Sequence, residues 1–261
     1  MRIALGIEYN GSTFCGWQTQ PSGCAVQDAL EHALSQIAGE KIATICAGRT
    51  DAGVHALAQV VHFDSAAVRP DSAWVRGVNT LLPASAAVTW VRPVAMEFSA
   101  RYCALERCYR YVLLNHPVRP ALNQGRVAWL HAPLDIARMR EAAQYLLGEH
   151  DFSAFRSSEC QAKSPVRDVR RLDIHKRDDY FVFDLAANAF LHHMVRNIVG
   201  SLVYVGKGNH APAWIGGVLA SRDRALAAPT LGAAGLYLAH VSYDAKWGLP
   251  SLARRAWFDD N

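Results

Sequence analysis

The chain has 261 residues, 51% of them apolar and 19% charged, which excludes a disordered protein and suffices for one large or two modest cores. The net charge of +4 is small, so attraction to a charged partner has to come from local clusters. No apolar run approaches the roughly eighteen residues of a membrane span.

Residues 1–9 alternate like a strand and lack the apolar core and cleavage site of a signal peptide, so a cytoplasmic protein is expected. After a loop over 10–24 comes a helix with Val26, Leu30, Ala33, Leu34 and Ile37 on one face and Gly39 as its stop. Strands are expected over 42–46 and 60–63, then a helix after Pro70-Asp71, a strand over 88–91 and a connection over 93–104. The second half offers a strand over 109–114, a helix over 136–147 closed by Gly148, and a hairpin of strands 169–175 and 180–185. An amphipathic helix over 191–205, a shorter helix over 212–220 and a strand over 236–243 complete the pattern. Without a βαβαβ rhythm, the fold class is α+β: two similar domains, 1–104 and 105–261, with mainly antiparallel sheets and helices packed on one side. The polar loop 152–165 is long for a compact domain, as functional loops often are.

Six cysteines, Cys15, Cys24, Cys46, Cys103, Cys108 and Cys160, contain no Cys-x-x-Cys pair, which argues against a zinc ribbon. Reduced thiols are the expectation for a chain with no secretory signal. His192 and His193 are adjacent, and neighbouring helix positions point about 100° apart, a poor arrangement for joint ligands. There is no His-Glu-x-x-His and no Gly-rich phosphate loop, so no metal and no nucleotide cofactor are expected.

The most informative stretch is Cys46-Ala47-Gly48-Arg49-Thr50-Asp51-Ala52-Gly53-Val54-His55-Ala56. It sets one carboxylate, Asp51, between two glycines and two residues beyond Arg49, with strand-like runs on either side. A carboxylate on such a bend can stand clear of the backbone and point at a substrate. The plainer reading is a turn former, because Asp bonds nearby backbone amides and glycine tolerates positive φ. On an extended backbone Arg49 projects to the same side as Asp51. A free Asp, with a pKa near 3.9, is ionised at neutral pH without help, so Arg49 matters more for positioning or for a second substrate contact.

Charge clusters in two segments. Residues 92–126 hold six Arg and two Glu, residues 160–177 six Lys or Arg and two Asp; each is +4 and the rest of the chain −4. Tyr102, Tyr109 and Tyr111 lie among the first set of arginines, supplying planar groups on which bases can stack. Basic clusters are ordinarily solvated surface, but this combination suits a nucleic acid.

The residues Arg49-Thr50-Asp51-Ala52-Gly53-Val54-His55-Ala56 closely resemble the active-site motif of the tRNA pseudouridine synthase A family. The supporting motifs follow in order: Tyr9-x-Gly11, Gly16-Trp17-Gln18-x-Gln20, Gln59-Val60-Val61-His62-Phe63, Phe98-Ser99-Ala100-Arg101, Tyr109-Arg110-Tyr111, Asp151-Phe152 and Phe190-Leu191-His192-His193-Met194-Val195-Arg196. The likeness runs over nearly the whole chain.

This resemblance implies the pseudouridine synthase fold and isomerisation of uridine to pseudouridine at positions 38, 39 and 40 in the anticodon stem-loop of tRNA, with no cofactor. It implies Asp51 as the nucleophile, attacking either the uracil ring or the ribose anomeric carbon, on a base that has left the stack. It implies that Arg49 assists the flip, that Tyr109 stacks on the uracil and helps remove its C5 proton, and that Arg196 lies near the nucleophile. Without the resemblance, Tyr109 reads as a half-buried strand aromatic and Arg196 as a solvated helix residue. RNA contacts are implied for Arg69, for Phe98, Ser99, Ala100, Arg101 and Tyr102, and for Glu159, Cys160, Gln161, Ala162 and Lys163. A homodimer is implied as well.

The chain departs from the family pattern at Ala25, where a capping Ser or Thr is common, at Asn10, often Asp, and at Glu106-Arg107-Cys108, commonly more basic. None of these is Asp51, Arg49 or Tyr109. A non-catalytic RNA-binding or tRNA-folding protein would share the basic segments but has no need of Arg49-Thr50-Asp51. A hydrolase with an Asp nucleophile needs a strand-to-helix elbow and a downstream His, whereas the residues after Asp51 read as another strand.

Overall fold

A computed structural model describes residues 1–250. In chain order the described residues form strands β1 (Arg2–Tyr9), β2 (Ile45–Cys46), β3 (His55–Asp64), β4 (Ala86–Val94), β5 (Ala104–Asn115), β6 (Ala128–Leu130), β7 (Gly148–Asp151), β8 (Val166–Arg177), β9 (Tyr180–Ala187) and β10 (Leu236–Tyr243). The α-helices are α1 (Val26–Ala38), α2 (Val78–Leu81), α3 (Ile136–Ala143), α4 (Met194–Gly206) and α5 (Trp214–Ser221). The class is α+β, and no described helix is long and apolar enough to cross a membrane. Two compact units emerge: Met1–Leu105 with the segment from Tyr237 onward, and Glu106–Leu236. The last strand thus packs with the first unit, not in the 105–261 division expected from sequence, because β10 runs parallel to β3 with Tyr237 opposite His55. Such a pairing leaves no mark in local sequence pattern.

In the first unit β1 is central, antiparallel to both β3 and β4. Its Ile3, Leu5 and Ile7 are buried, and so is the intervening Ala4; a strand covered on both faces takes small and apolar residues at every position. Helix α1 buries Val26, Leu30, Ala33 and Leu34, as the spacing predicts, while Ile37 stays half-buried. Ala25 has no capping side chain, but Asp28 takes over part of that role by accepting the Ala25 amide at 3.0 Å. Gly39 closes the helix in the left-handed region at φ 75°, its amide bonded to the Ser35 carbonyl.

The strand expected over 42–46 shrinks to Ile45–Cys46. The Ile42 amide is taken by Ser35 Oγ at 2.9 Å and the Thr44 amide by Glu31 Oε1 at 2.7 Å, so helix α1 side chains draw these amides away from the sheet. After Pro70 the chain is helical from Asp71 and passes through a π-turn over Ala73–Gly77 into α2. The expectation of six reduced thiols fails for Cys15 and Cys24, which are joined in a disulfide with Cα atoms 5.5 Å apart. A pair separated by nine positions and brought together by a loop carries no spacing signature. Cys46, Cys103, Cys108 and Cys160 are free.

In the second unit β5, β9, β8 and β7 are paired antiparallel in that order, and β6 pairs parallel with β5. The expected helix over 136–147 stops at Ala143, tightens into a 3-10 turn at Gln144–Leu146, and at Gly148, φ 92°, the chain enters strand β7. Helix α4 begins at Met194, three residues after the expected start, because His193 is in the left-handed region at φ 62°. The helix is buried along most of its length, including two polar residues, Asn197 and Ser201. Asn197 donates to the Phe155 carbonyl at 2.8 Å and accepts from Thr230 Oγ1 at 2.6 Å and an Arg224 nitrogen at 3.1 Å. Satisfied in this way, a buried amide fixes its neighbours in place.

Candidate active site

Asp51 lies in the loop between β2 and β3, half-buried, one residue after the buried Thr50. Three residues distant in sequence hold that loop. The Tyr9 hydroxyl is 2.8 Å from Thr50 Oγ1, Gln59 Nε2 donates to the Gly48 carbonyl at 2.6 Å, and the Trp17 amide donates to the Thr50 carbonyl at 2.9 Å. Gln59 has no exposed surface and Trp17 is 1% exposed, so these bonds are shielded from competing water. The turn itself closes with the Val54 amide on the Asp51 carbonyl at 3.1 Å, Gly53 supplying a φ of 78°.

Two glycines press against this loop from the other side. Gly16 has φ 101°, and a Cβ there would lie 3.0 Å from the Thr50 carbonyl oxygen and 3.1 Å from the Ala52 nitrogen. At Gly11 a Cβ would sit 1.9 Å from the Val54 carbonyl oxygen, so only glycine fits. The Gly11 amide donates to His55 Nδ1 at 3.0 Å, and the His55 ring stacks on Tyr237 with centroids 4.6 Å apart. The backbone on both sides of Asp51 is therefore over-determined, as presentation of a reactive group requires.

Arg49 is exposed, two residues before Asp51. Cys46, just ahead of the loop, is unsuited to act as a nucleophile: burial pushes its thiol up to about 12, against the opposing pull of Arg49 and Arg101.

The candidate RNA-contact segments divide by burial. Phe98 and Ala100 have no exposed surface. The Phe98 ring packs at 5.9 Å from His62 and 5.3 Å from Tyr243, its carbonyl accepting from Arg2 at 2.8 Å. Ala100 is held at both ends of its peptide, its amide on His62 Nδ1 at 3.1 Å and its carbonyl on the Tyr243 hydroxyl at 2.6 Å. Ser99 is half-buried, whereas Arg101 and Tyr102 are exposed, Tyr102 at 80%, with the Arg101 guanidinium 5.4 Å from the Tyr102 ring centre. Arg69 is exposed and donates to the Ile37 carbonyl at 3.1 Å.

In the second unit Glu159, Gln161 and Lys163 are exposed, Ala162 is half-buried and Cys160 is buried. Arg156 organises this loop by donating to the carbonyls of Cys160 and Ala162 at 2.5 and 3.0 Å. Burial pushes the Cys160 thiol up, but the amides of His192 and Ala162 and the Arg156 guanidinium outweigh it and hold the thiol below its ordinary value. Tyr109, on β5, is 9% exposed and meets Phe190 edge to face at 5.0 Å. Arg196, on α4, donates from Nε to the Leu231 carbonyl at 2.7 Å. Asp51 and Arg49 thus belong to the first unit, Tyr109 and Arg196 to the second. Sequence reasoning assigned no role to Thr50 and none to Arg156. The second unit also holds a cavity of about 490 Å³ lined by Arg156, Arg222, Arg224, Asn197 and Ser153 among others. These come from several separate segments, so no motif could have announced it.

The profile of the tRNA pseudouridine synthase family matches residues 6–103 and 142–244. Asp51, Arg49 and Arg196 fall inside the matched stretches, and Tyr109 falls between them. A protein of Thiobacillus denitrificans named tRNA pseudouridine synthase A is 60% identical over 98% of both chains. Proteins of the same name are 60% identical in Chromobacterium violaceum, over 98% of both chains, and 58% identical in Dechloromonas aromatica, over 96% of this chain and 95% of that one.

Proposed function

The chain belongs to the tRNA pseudouridine synthase family, and on that premise we propose that it isomerises uridine to pseudouridine at positions 38, 39 and 40 in the anticodon stem-loop of tRNA, with Asp51 as the nucleophile. The observation that carries the reading is the half-buried carboxylate held in a loop pinned by Tyr9, Trp17 and Gln59.

The flipped nucleoside meets the Asp51 carboxylate, which bonds to it as the N1–C1′ bond breaks. The freed uracil turns within the pocket, C5 bonds to C1′, the C5 proton is removed, N1 ends protonated and the carboxylate is released. Atoms balance and no electrons are transferred. The protein's task is to keep the detached base from solvent until it rejoins. Arg49 fills the space left by the flipped base, where a planar guanidinium can stack on its neighbours. Tyr109 stacks on the uracil and assists the C5 proton, and Arg196 supports the nucleophile.

Exposed Arg69, Arg101, Tyr102 and Lys163 contact the RNA, with Glu159 and Gln161 in the same loop as Lys163. Contacts of this kind read shape and backbone more than base edges, which suits an enzyme acting at three neighbouring positions. The working form is a cytoplasmic homodimer.

The test is incubation with a tRNA transcript bearing uridines in its anticodon arm, then chemical mapping of pseudouridine. Conversion by the wild type, with none by Asp51→Asn at retained RNA affinity, is the expected result. Conversion by Asp51→Asn at the wild-type rate would overturn the assignment, and binding without conversion by the wild type would leave an RNA-binding protein.

A further inference from the structure

We propose that Cys15 and Cys24 form a reversible thiol–disulfide couple that sets the rigidity of the Asp51 loop. The inference rests on the reading of Asp51 as the reacting group.

The two sulfurs close a ring whose neck touches that loop. Cys15 is followed by Gly16, the glycine packed against Thr50 and Ala52, and then by Trp17, whose amide bonds the Thr50 carbonyl. Cys24 lies two residues before Val26, whose amide bonds the Gly16 carbonyl at 3.1 Å as α1 begins. Both ends of the ring are thus fastened to the backbone that presents Asp51 or to the helix beside it. Fixing the neck covalently restricts Gly16 where it has least clearance.

The pair is also built to open and close. The Cys15 amide donates to the Cys24 carbonyl at 3.0 Å, the Gly23 amide to the Gln20 carbonyl at 2.9 Å, and Gln20 Nε2 to the Cys15 carbonyl at 2.9 Å. These bonds involve no sulfur, so they hold the two cysteines together after reduction as well. Cys15 is exposed and Cys24 half-buried, within reach of a small thiol or disulfide. Ser22 Oγ is 3.0 Å from Cys24 Sγ, where its hydroxyl can donate to a thiolate. The four free cysteines are in no disulfide, and three of them are buried.

The reaction is exchange with a low-molecular-weight disulfide. One cysteine thiolate attacks that disulfide and expels a thiolate, and the second attacks the mixed disulfide and expels the other. One disulfide bond forms, one breaks, and the two cysteine protons end on the released thiols. Two thiols of the chain are oxidised and one external disulfide is reduced.

The full-length enzyme is equilibrated with oxidised glutathione or with dithiothreitol, and alkylation with peptide mapping then shows whether Cys15 and Cys24 are joined. Hydrogen exchange at the Trp17 amide and single-turnover pseudouridine formation are measured on both forms. In the oxidised form the two peptides are expected to be joined, the Trp17 amide to exchange about tenfold more slowly and turnover to be about threefold faster or more. The Cys15→Ser, Cys24→Ser double variant should match the reduced wild type in both readouts under either condition. Alkylation of both cysteines after oxidised glutathione overturns the proposal, as does a closed bond that leaves exchange and turnover unchanged. A redox response that persists in the double variant overturns it too. Slowed exchange with no pseudouridine in either state supports the coupling and removes the catalytic reading instead.

Discussion

The Tyr9 hydroxyl and Thr50 Oγ1 meet at 2.8 Å across 41 positions of sequence, both side chains buried, one residue before Asp51. Replacing Tyr9 by Phe keeps the ring and leaves the Thr50 hydroxyl without this partner. The expected cost is about 1–2 kcal/mol in denaturant unfolding. Turnover should fall more than apparent tRNA affinity, because the loop loses a support and the side chains proposed to contact RNA do not. A variant that loses affinity and keeps its turnover would show that Tyr9 does not act through the loop.

Gly16 tests the loop from its other side. Gly16→Ala places a methyl 3.0 Å from the Thr50 carbonyl oxygen on a backbone at φ 101°. Strain and crowding together should cost about 2–3 kcal/mol. Gly39→Ala, with φ 75° and no heavy atom near its Cβ position, tests the same backbone penalty away from Asp51. It should lower the melting temperature with little change in turnover, whereas Gly16→Ala should lower both.

Residues 98–102 should separate into anchors and contacts. Arg101→Ala is expected to weaken tRNA binding and to reduce the slope of log affinity against log salt by about 1, with stability nearly unchanged because the side chain is exposed. Phe98→Ala removes a ring with no exposed surface and should cost about 3–5 kcal/mol. Salt-titrated binding beside chemical denaturation distinguishes the two.

His62 gives this segment a pH response. Burial holds its imidazole below the ordinary value of 6.5, and the neighbouring Arg2 adds to that, against Asp64. A histidine depressed in the folded state contributes stability that is complete above its unfolded value and declines as pH falls below it. The loss should therefore set in below about pH 6.5. Protonation at Nδ1 also removes the acceptor of the Ala100 amide. Stability measured between about pH 7.5 and about pH 5, a range that spans the ordinary histidine midpoint, should decline less steeply in His62→Asn than in the wild type. Equal slopes would remove His62 from the account.

Much was legible along the chain because the signals are local. Strand β1, helix α1 and the β8–β9 hairpin follow from periodicity and from Gly39, and Asp51 stands out as a carboxylate on a Gly-flanked bend. Strands β6 and β7, of three and four residues, are too short to show a period. The late start of α4 depends on the backbone of His193, which no side-chain pattern announces.

The sequence by itself determined the family, the α+β class and the one carboxylate proposed as the nucleophile, since a contiguous motif survives any rearrangement of the rest. Only the tertiary structure decided that Tyr9 and Gln59 brace that carboxylate's loop, that Phe98 and Ala100 are anchors while Arg101 and Tyr102 face outward, and that Cys15 and Cys24 are joined. Each of these turns on which residues the folded backbone brings together and which it buries, and contacts between residues far apart in the chain leave no periodic trace for a sequence to display.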